Sequence, residues 1–318
     1  MTAPLRGPGF AKLRQLADVV YDPWIEQTPL RIYSAEQLAD RISAEAADVV
    51  VVESDSVGGP VFEQGLRVIA STRGDPNNVD IAGATAAGVP VLNTPGRNAD
   101  AVAEMTVALL LAATRQLLPA DADVRSGNIF RDSSIPYQRF RGWEIAGRTA
   151  GLVGLGAVGR ATRWRLSGLG MRVIAHDPYN DEAEHGLDEL LAEADVVSLH
   201  APATDHTVGM IGAPQFAAMR DGAVFLNTAR AQLHDTDALV DALRGGKVAA
   251  AGLDHFVGEW LPTDHPLAGM ANVVLTPHIG GATWNTEARQ AQMVADDLGA
   301  LLAGDTPAHI VNPEVLGP

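Results

Sequence analysis

The chain has 318 residues, with 23 lysines and arginines against 39 aspartates and glutamates, a formal net charge of −16 and no cysteine. That length holds one large or two medium domains with ample core. The acidic balance argues against a nucleic acid or an anionic membrane as partner, and the missing cysteine excludes disulfides, thiolate metal sites and a thiol nucleophile.

In chain order, apolar and β-branched runs at Val19 to Tyr21, Val49 to Val52, Val68 to Ala70 and Val89 to Leu92 predict strands. Ser34 to Ala47 carries a helical period, with Ser34 as N-cap and Gln37 as its capping-box partner. This alternation predicts parallel strands joined by crossover helices. Asn98 to Thr114 reads as a long, largely apolar helix. Its most apolar stretch, Val102 to Ala113, is interrupted by Glu104 and is too short to span a bilayer. Residues 119–147 are polar, rich in arginine and irregular, and read as an extended arm. No apolar leader is legible at the N-terminus, so a cytoplasmic location is expected.

A second set begins near Thr149. Strands are expected at Ala150 to Val153, Arg172 to Ala175, Val196 to Leu199, Ala223 to Leu226, Ala249 to Leu253 and Val273 to Leu275. Helices are expected at Val158 to Gly168, Leu187 to Ala194, Phe216 to Met219 and Thr236 to Arg244, with a final helix at Thr286 to Ala303. The pattern fits an α/β, doubly wound dinucleotide-binding domain.

Within it, Gly154-Leu155-Gly156-Ala157-Val158-Gly159 has the Gly-x-Gly-x-x-Gly spacing, follows an apolar strand and opens a helix. The glycines allow a tight turn and close approach to a pyrophosphate, and the helix start offers N–H groups to the phosphates. Asp177, at the end of the next strand, is placed to accept hydrogen bonds from the adenine ribose hydroxyls and to repel a 2′-phosphate. It is also a plausible turn former before Pro178. The cofactor expected is NAD rather than NADP.

Three segments downstream supply a fixed cation, a carboxylate and an imidazole: Arg230 in Asn227-Thr228-Ala229-Arg230, Glu259 in the stretch that follows Gly252-Leu253-Asp254-His255, and His278 before Ile279-Gly280-Gly281. Taken singly, each is an ordinary loop residue. Together they are what hydride exchange between a nicotinamide and a 2-keto or 2-hydroxy acid requires. A guanidinium grips the substrate carboxylate and polarises its carbonyl, and an imidazole moves the proton on oxygen. A carboxylate beside the imidazole favours its protonated form.

With the fingerprint, the arginine, the glutamate and the histidine in this order, nearly the whole chain resembles the D-isomer-specific 2-hydroxyacid dehydrogenases, the family of phosphoglycerate, glycerate, lactate and glyoxylate/hydroxypyruvate enzymes. The resemblance implies a Rossmann-type NAD-binding domain, residues 98–287, inserted in a flavodoxin-like substrate domain, residues 1–97 plus 288–318, with the active site in the cleft between them. It implies Arg230 as the binder of the substrate carboxylate and carbonyl, His278 as acid/base and Glu259 as its partner. Gly74, Ala157, Val158, Ala201, Thr228, Ala229 and Gly280 match positions that touch cofactor, and Asp254 one near the nicotinamide. The loop Arg73-Gly74-Asp75 would receive the keto acid through its backbone N–H groups. No metal is implied, and a homodimer joined through the cofactor domain is.

The chain departs from the family pattern in places. Arg73-Gly74-Asp75-Pro76-Asn77-Asn78 replaces a more glycine-rich loop, and Arg73 is read either as a grip on a distal substrate group or as a solvated loop arginine. His255 stands where valine is usual and is read as packing; Trp260 stands where proline is common. Met1 to Leu5 looks like the end of the family's first strand, so either a start further upstream or a rearranged sheet is expected. The rival reading is an NAD(H)-sensing protein without turnover, like corepressor relatives that keep the same residues. A formate-type dehydrogenase would pair the histidine with an amide, against Glu259, and a non-redox Rossmann enzyme would have no use for the trio.

Overall fold

The computed structural model describes residues 1–317. The chain divides into two units, Met1–Arg97 with the C-terminal segment from Thr283, and Asn98–Ala282.

In the first unit, α1 (Gly7–Leu16) and α2 (Ala35–Glu45) precede a parallel three-stranded sheet of β1 (Val49–Val52), β2 (Val68–Ser71) and β3 (Val91–Leu92), in that order, with α3 (Ile81–Ala86) before β3. The capping box is formed: Ser34 Oγ accepts from Gln37 N–H and Gln37 Oε1 accepts from Ser34 N–H. Successive strand residues face opposite ways. Val50 and Val52 enter a core with Leu38 and Ile42 of α2, while Val51 enters another with Leu13 of α1 and Val294 and Leu298 of the C-terminal helix, Trp284–Ala303. Burial on both faces is why these strands are unbroken apolar runs.

The strand expected at Val19–Tyr21 does not form. Val20 is 44% exposed and has no face to bury against. That stretch instead runs beside the N-terminus: the Met1 ammonium donates to Val20 O (2.8 Å), Asp22 N–H donates to Met1 O (3.0 Å) and Trp24 N–H to Thr2 O (2.9 Å). Thr2 and Ala3 N–H both donate to Val51 O (2.9 and 3.2 Å), so the buried N-terminal residues lie along the free edge of β1 without forming a ladder.

The second unit opens with α4 (Ala99–Thr114). The expected arm is not wholly extended: α5 (Leu117–Arg125) and a single turn, α6 (Pro136–Arg139), form within it. The helical period of α5 is hard to read because its Leu117, Leu118 and Val124 face solvent. Then follow β4 (Thr149–Val153), α7 (Ala157–Gly168), β5 (Arg172–His176), α8 (Leu187–Glu193), β6 (Val196–Leu199), α9 (Ala213–Ala218), β7 (Ala223–Asn227), α10 (Thr236–Arg244), β8 (Val248–Leu253) and β9 (Val273–Leu275). All six strands are parallel, in the order β5-β4-β6-β7-β8-β9. One face, with Val197, Phe225 and Leu253, packs on Leu190, Phe216 and Leu239 of α8, α9 and α10. The other, with Leu152, Val224 and Leu226, packs on Leu109 and Leu110 of α4. Among the described residues no single helix is long and apolar enough to cross a membrane. The order reverses between β4 and β6, and in such sheets the crevice at the carboxyl ends of the strands flanking that reversal is where ligands bind.

Candidate active site

The glycine fingerprint lies at this reversal. Gly154 leaves β4 at φ +99°, and a Cβ there would come within 2.7 Å of Ala201 N and His200 C, in the segment after β6. A Cβ on Gly159 would lie 2.3 Å from Gly154 O. Any larger residue at either place would force β4, α7 and the β6 segment apart. Gly156 caps α7 and faces open space. The first-turn N–H groups of Ala157, Val158 and Gly159 are of the kind a helix leaves unpaired, and they suit a phosphate. Asp177 follows β5; its Oδ2 accepts from Leu155 N–H (2.8 Å) and its Oδ1 from Tyr179 N–H (3.0 Å). It therefore forms the turn and sets a carboxylate beside the fingerprint loop. This cradle fits a dinucleotide.

Arg230 lies just beyond β7, in a loop shaped by a residue that sequence reasoning passed over. Asn227 is buried; its Oδ1 accepts from Ala229 N–H (3.0 Å) and its Nδ2 donates to Arg230 O (2.8 Å). An asparagine accepting from the second residue on is a legible turn signal. Nδ2 also reaches His234 Nδ1 (3.0 Å), and burial lowers the pKa of that imidazole to about 4. The Arg230 guanidinium is exposed, with one bond back to Ala229 O (2.6 Å). The neighbouring Thr228 is buried, its hydroxyl against Thr106 Oγ1 (2.8 Å).

His278 and Glu259 meet, with Nδ1 2.8 Å from Oε1. They come from the segments after β9 and β8, and both have left-handed backbone, φ 55° and 54°. Such a conformation costs a non-glycine residue about 1 kcal/mol or more and persists only where its surroundings impose it. Asp254, 1% exposed at the end of β8, imposes it on the His278 loop. Its Oδ1 accepts from Thr276 Oγ1 (2.5 Å) and Ile279 N–H (3.0 Å), and its Oδ2 from Gly280 N–H (2.7 Å). A Cβ on Gly280 would lie 2.8 Å from that Oδ2, so glycine is required there. His255 is buried with its ring against that of His278, centroids 3.8 Å apart. Burial, then the His278 and Arg230 charges, push its pKa down to about 4 against the pull of Asp254.

Arg73, Gly74 and Asp75 belong to the other unit. The Arg73 guanidinium donates to Glu53 O and Asn77 Oδ1, and Thr94 N–H donates to Arg73 O (3.0 Å). Asn93 Nδ2 donates to Gly74 O (2.6 Å), and Asp75 is exposed.

A doubly wound sheet with a glycine cradle at its reversal, and an arginine, a carboxylate and an imidazole beyond its last three strands, defines a nicotinamide-dependent oxidoreductase. Residues 107–280 match the family described as D-isomer specific 2-hydroxyacid dehydrogenase, NAD binding domain. The chain is 36% identical over 318 residues to a glyoxylate reductase of Korarchaeum cryptofilum (strain OPF8), covering 97% of this chain and 93% of that protein. It is 41% identical over 255 residues to D-3-phosphoglycerate dehydrogenase of Mycobacterium tuberculosis (strain ATCC 25618 / H37Rv), covering 78% of this chain and 47% of that protein. The crystal structure of TT0316 protein from Thermus thermophilus matches with a TM-score of 0.84 at 36% identity, over 98% of both chains. The chain belongs to the D-isomer-specific 2-hydroxyacid dehydrogenase family. Its reaction is the interconversion of 2-hydroxy and 2-keto acids, with NAD as cofactor.

Proposed function

We propose that this enzyme reduces a short 2-keto acid of the glyoxylate or hydroxypyruvate type, with His278 as acid/base, Glu259 as its partner and Arg230 as the substrate grip. The observation that carries this reading is the 2.8 Å contact between His278 Nδ1 and Glu259 Oε1. With Nδ1–H donated to the carboxylate, Nε2 is left to exchange a proton with the substrate oxygen. Arg230 stays charged and binds the substrate carboxylate, while polarising the adjacent carbonyl. Gly154, Gly156, Ala157, Val158, Gly159, Asp177, Ala201, Thr228, Ala229 and Gly280 would hold NADH, which would supply the hydride. Asp254 acts on this site as the brace of the His278 loop.

The names of the glyoxylate reductases that align along most of their length favour a small substrate. So does Arg73: its guanidinium is engaged by Glu53 and Asn77, which suits a loop brace better than a grip on a distal phosphate. Gly74 and Asp75 then receive the substrate through backbone N–H groups.

The reading includes a homodimer in the cytoplasm. Its support is the exposed apolar side chains of the second unit, among them Leu117, Leu118, Phe130, Tyr137 and Trp164, and a groove of about 410 Å³ lined by Val107, Trp164 and Leu169 beside Glu104 and Arg165. Patches of this kind mark association surfaces. Sedimentation velocity tests it; a monomer at micromolar concentration refutes it.

The test of function is NADH oxidation against glyoxylate, hydroxypyruvate, pyruvate and phosphohydroxypyruvate, for the wild type and His278→Ala. Preference for glyoxylate or hydroxypyruvate is expected, with the variant losing about 10²- to 10⁴-fold in kcat. Preference for the phosphorylated acid would return Arg73 to a distal grip. NADH binding without turnover on any acid would favour the sensing role.

A further inference from the structure

We infer that His255, Glu259 and His278 form a binding site for a divalent transition-metal ion of the zinc type, and that the bound ion switches the dehydrogenase off. One ring nitrogen of each histidine and one carboxylate oxygen of Glu259 all lie within 4.8 Å of one another. All three residues come from one unit, from the segments after β8 and β9.

One pair already stands near the spacing such an ion needs, and the set, spread over no more than 4.8 Å, would draw together around it. Bonds of ~2.0–2.1 Å in a tetrahedral arrangement set neighbouring ligand atoms ~3.3 Å apart. His278 Nδ1 and Glu259 Oε1 stand at 2.8 Å. His255 is the third ligand and the one that makes the set distinctive. Its ring rests on that of His278, and no group among the described residues hydrogen-bonds its nitrogens. It is buried and fixed in place, whereas the Glu259 and His278 side chains are 59% and 46% exposed and free to turn onto an ion. The same exposure leaves the remaining coordination position open to water. Two imidazoles and one carboxylate select zinc, cobalt or nickel over the hard magnesium and calcium ions.

Loading is a proton exchange. The ion takes the place of the proton shared by His278 Nδ1 and Glu259, and that proton is released to solvent. With Nδ1 on the metal and Glu259 drawn onto it, the ring no longer forms the imidazolium that protonates the substrate oxygen. The switching part of the inference rests on His278 being the acid/base; the binding part does not.

The experiment uses Co²⁺ as the probe on the full chain. Its visible d–d absorption is followed during titration, then during displacement by Zn²⁺ and chelation by EDTA, with NADH oxidation measured in parallel. The expected result is one Co²⁺ per chain, displaced by Zn²⁺, with turnover lost over the same concentration range and restored by EDTA. His255→Val should retain turnover in EDTA and bind Co²⁺ at least about tenfold more weakly. His255→Asn keeps a polar side chain of similar size and serves if the valine variant does not fold. Absence of a Co²⁺ spectrum on the wild type, or equal binding by both variants, would overturn the site. Binding with undiminished turnover would overturn the switch alone and would count against His278 as the acid/base.

Discussion

Asp254 accepts the backbone N–H of Gly280 at 2.7 Å, and through that bond it governs a loop whose catalytic candidate lies two residues earlier. Its second oxygen takes Ile279 N–H and the Thr276 hydroxyl, so both oxygens are engaged around His278. A carboxylate with two backbone donors does more than an isosteric amide can, because an amide nitrogen cannot accept. Asp254→Asn should therefore loosen the His278 loop. A misplacement of about 1 Å costs up to roughly 10²-fold in rate, so a kcat fall of about 10- to 100-fold is expected, with the Kd for NADH little changed. A large loss of NADH affinity with kcat retained would instead make Asp254 a cofactor ligand.

Glu259 offers a sharper contrast. Glu259→Gln keeps an oxygen able to accept from His278 Nδ1–H but removes the charge. If the carboxylate serves to stabilise the imidazolium, kcat for keto-acid reduction should fall by about tenfold or more while NADH binding stays as it was. Wild-type kcat in the glutamine variant would reduce Glu259 to an orienting group.

Acid stability follows from the buried histidines. His200, His234 and His255 all have pKa values lowered to about 4, with burial as the first cause in each. Since the folded values lie below the unfolded value of about 6.5, the unfolded chain binds protons that the native chain refuses. Their contribution is fully present above pH ~6.5 and is lost as pH falls toward 4. His234 alone accounts for about 3 kcal/mol over that window, on the order of 1.4 kcal/mol per pH unit. Urea unfolding at successive pH values should show a plateau above ~6.5 and a decline below it, less steep in His234→Gln. A flat profile down to pH 4 would refute the assignment.

Much of this was legible in the sequence, for identifiable reasons. Gly154 and Gly159 announce themselves because close approach admits no other residue, and the Ser34–Gln37 capping box because its two bonds require those side chains at that spacing. Val19–Tyr21 misled because a β-branched run predicts a strand only where a face is buried, and neighbours along the chain do not report burial. The Asp254 brace was hidden because two of its three partners are backbone N–H groups some 25 residues away, which leave no mark on residue type. The His255–His278 contact was hidden for the same reason: it depends on β8 and β9 lying side by side.

Asp177 carries the last prediction. Its two oxygens accept from Leu155 N–H and Tyr179 N–H, so the carboxylate is fixed beside the fingerprint loop and cannot swing aside for a 2′-phosphate. Repulsion between two anions in that position, with no lysine or arginine among the described residues bonded to Asp177, should enforce NADH over NADPH. Asp177→Ser removes the charge and keeps a short polar acceptor for the turn. The ratio of kcat/KM for NADH to that for NADPH should fall by about tenfold or more, chiefly through NADPH improving, since a close like-charge contact costs at least about 1.4 kcal/mol. A variant that loses NADH activity without gaining any with NADPH would show that Asp177 acts mainly as the turn former, holding Leu155 and Tyr179 rather than choosing the cofactor.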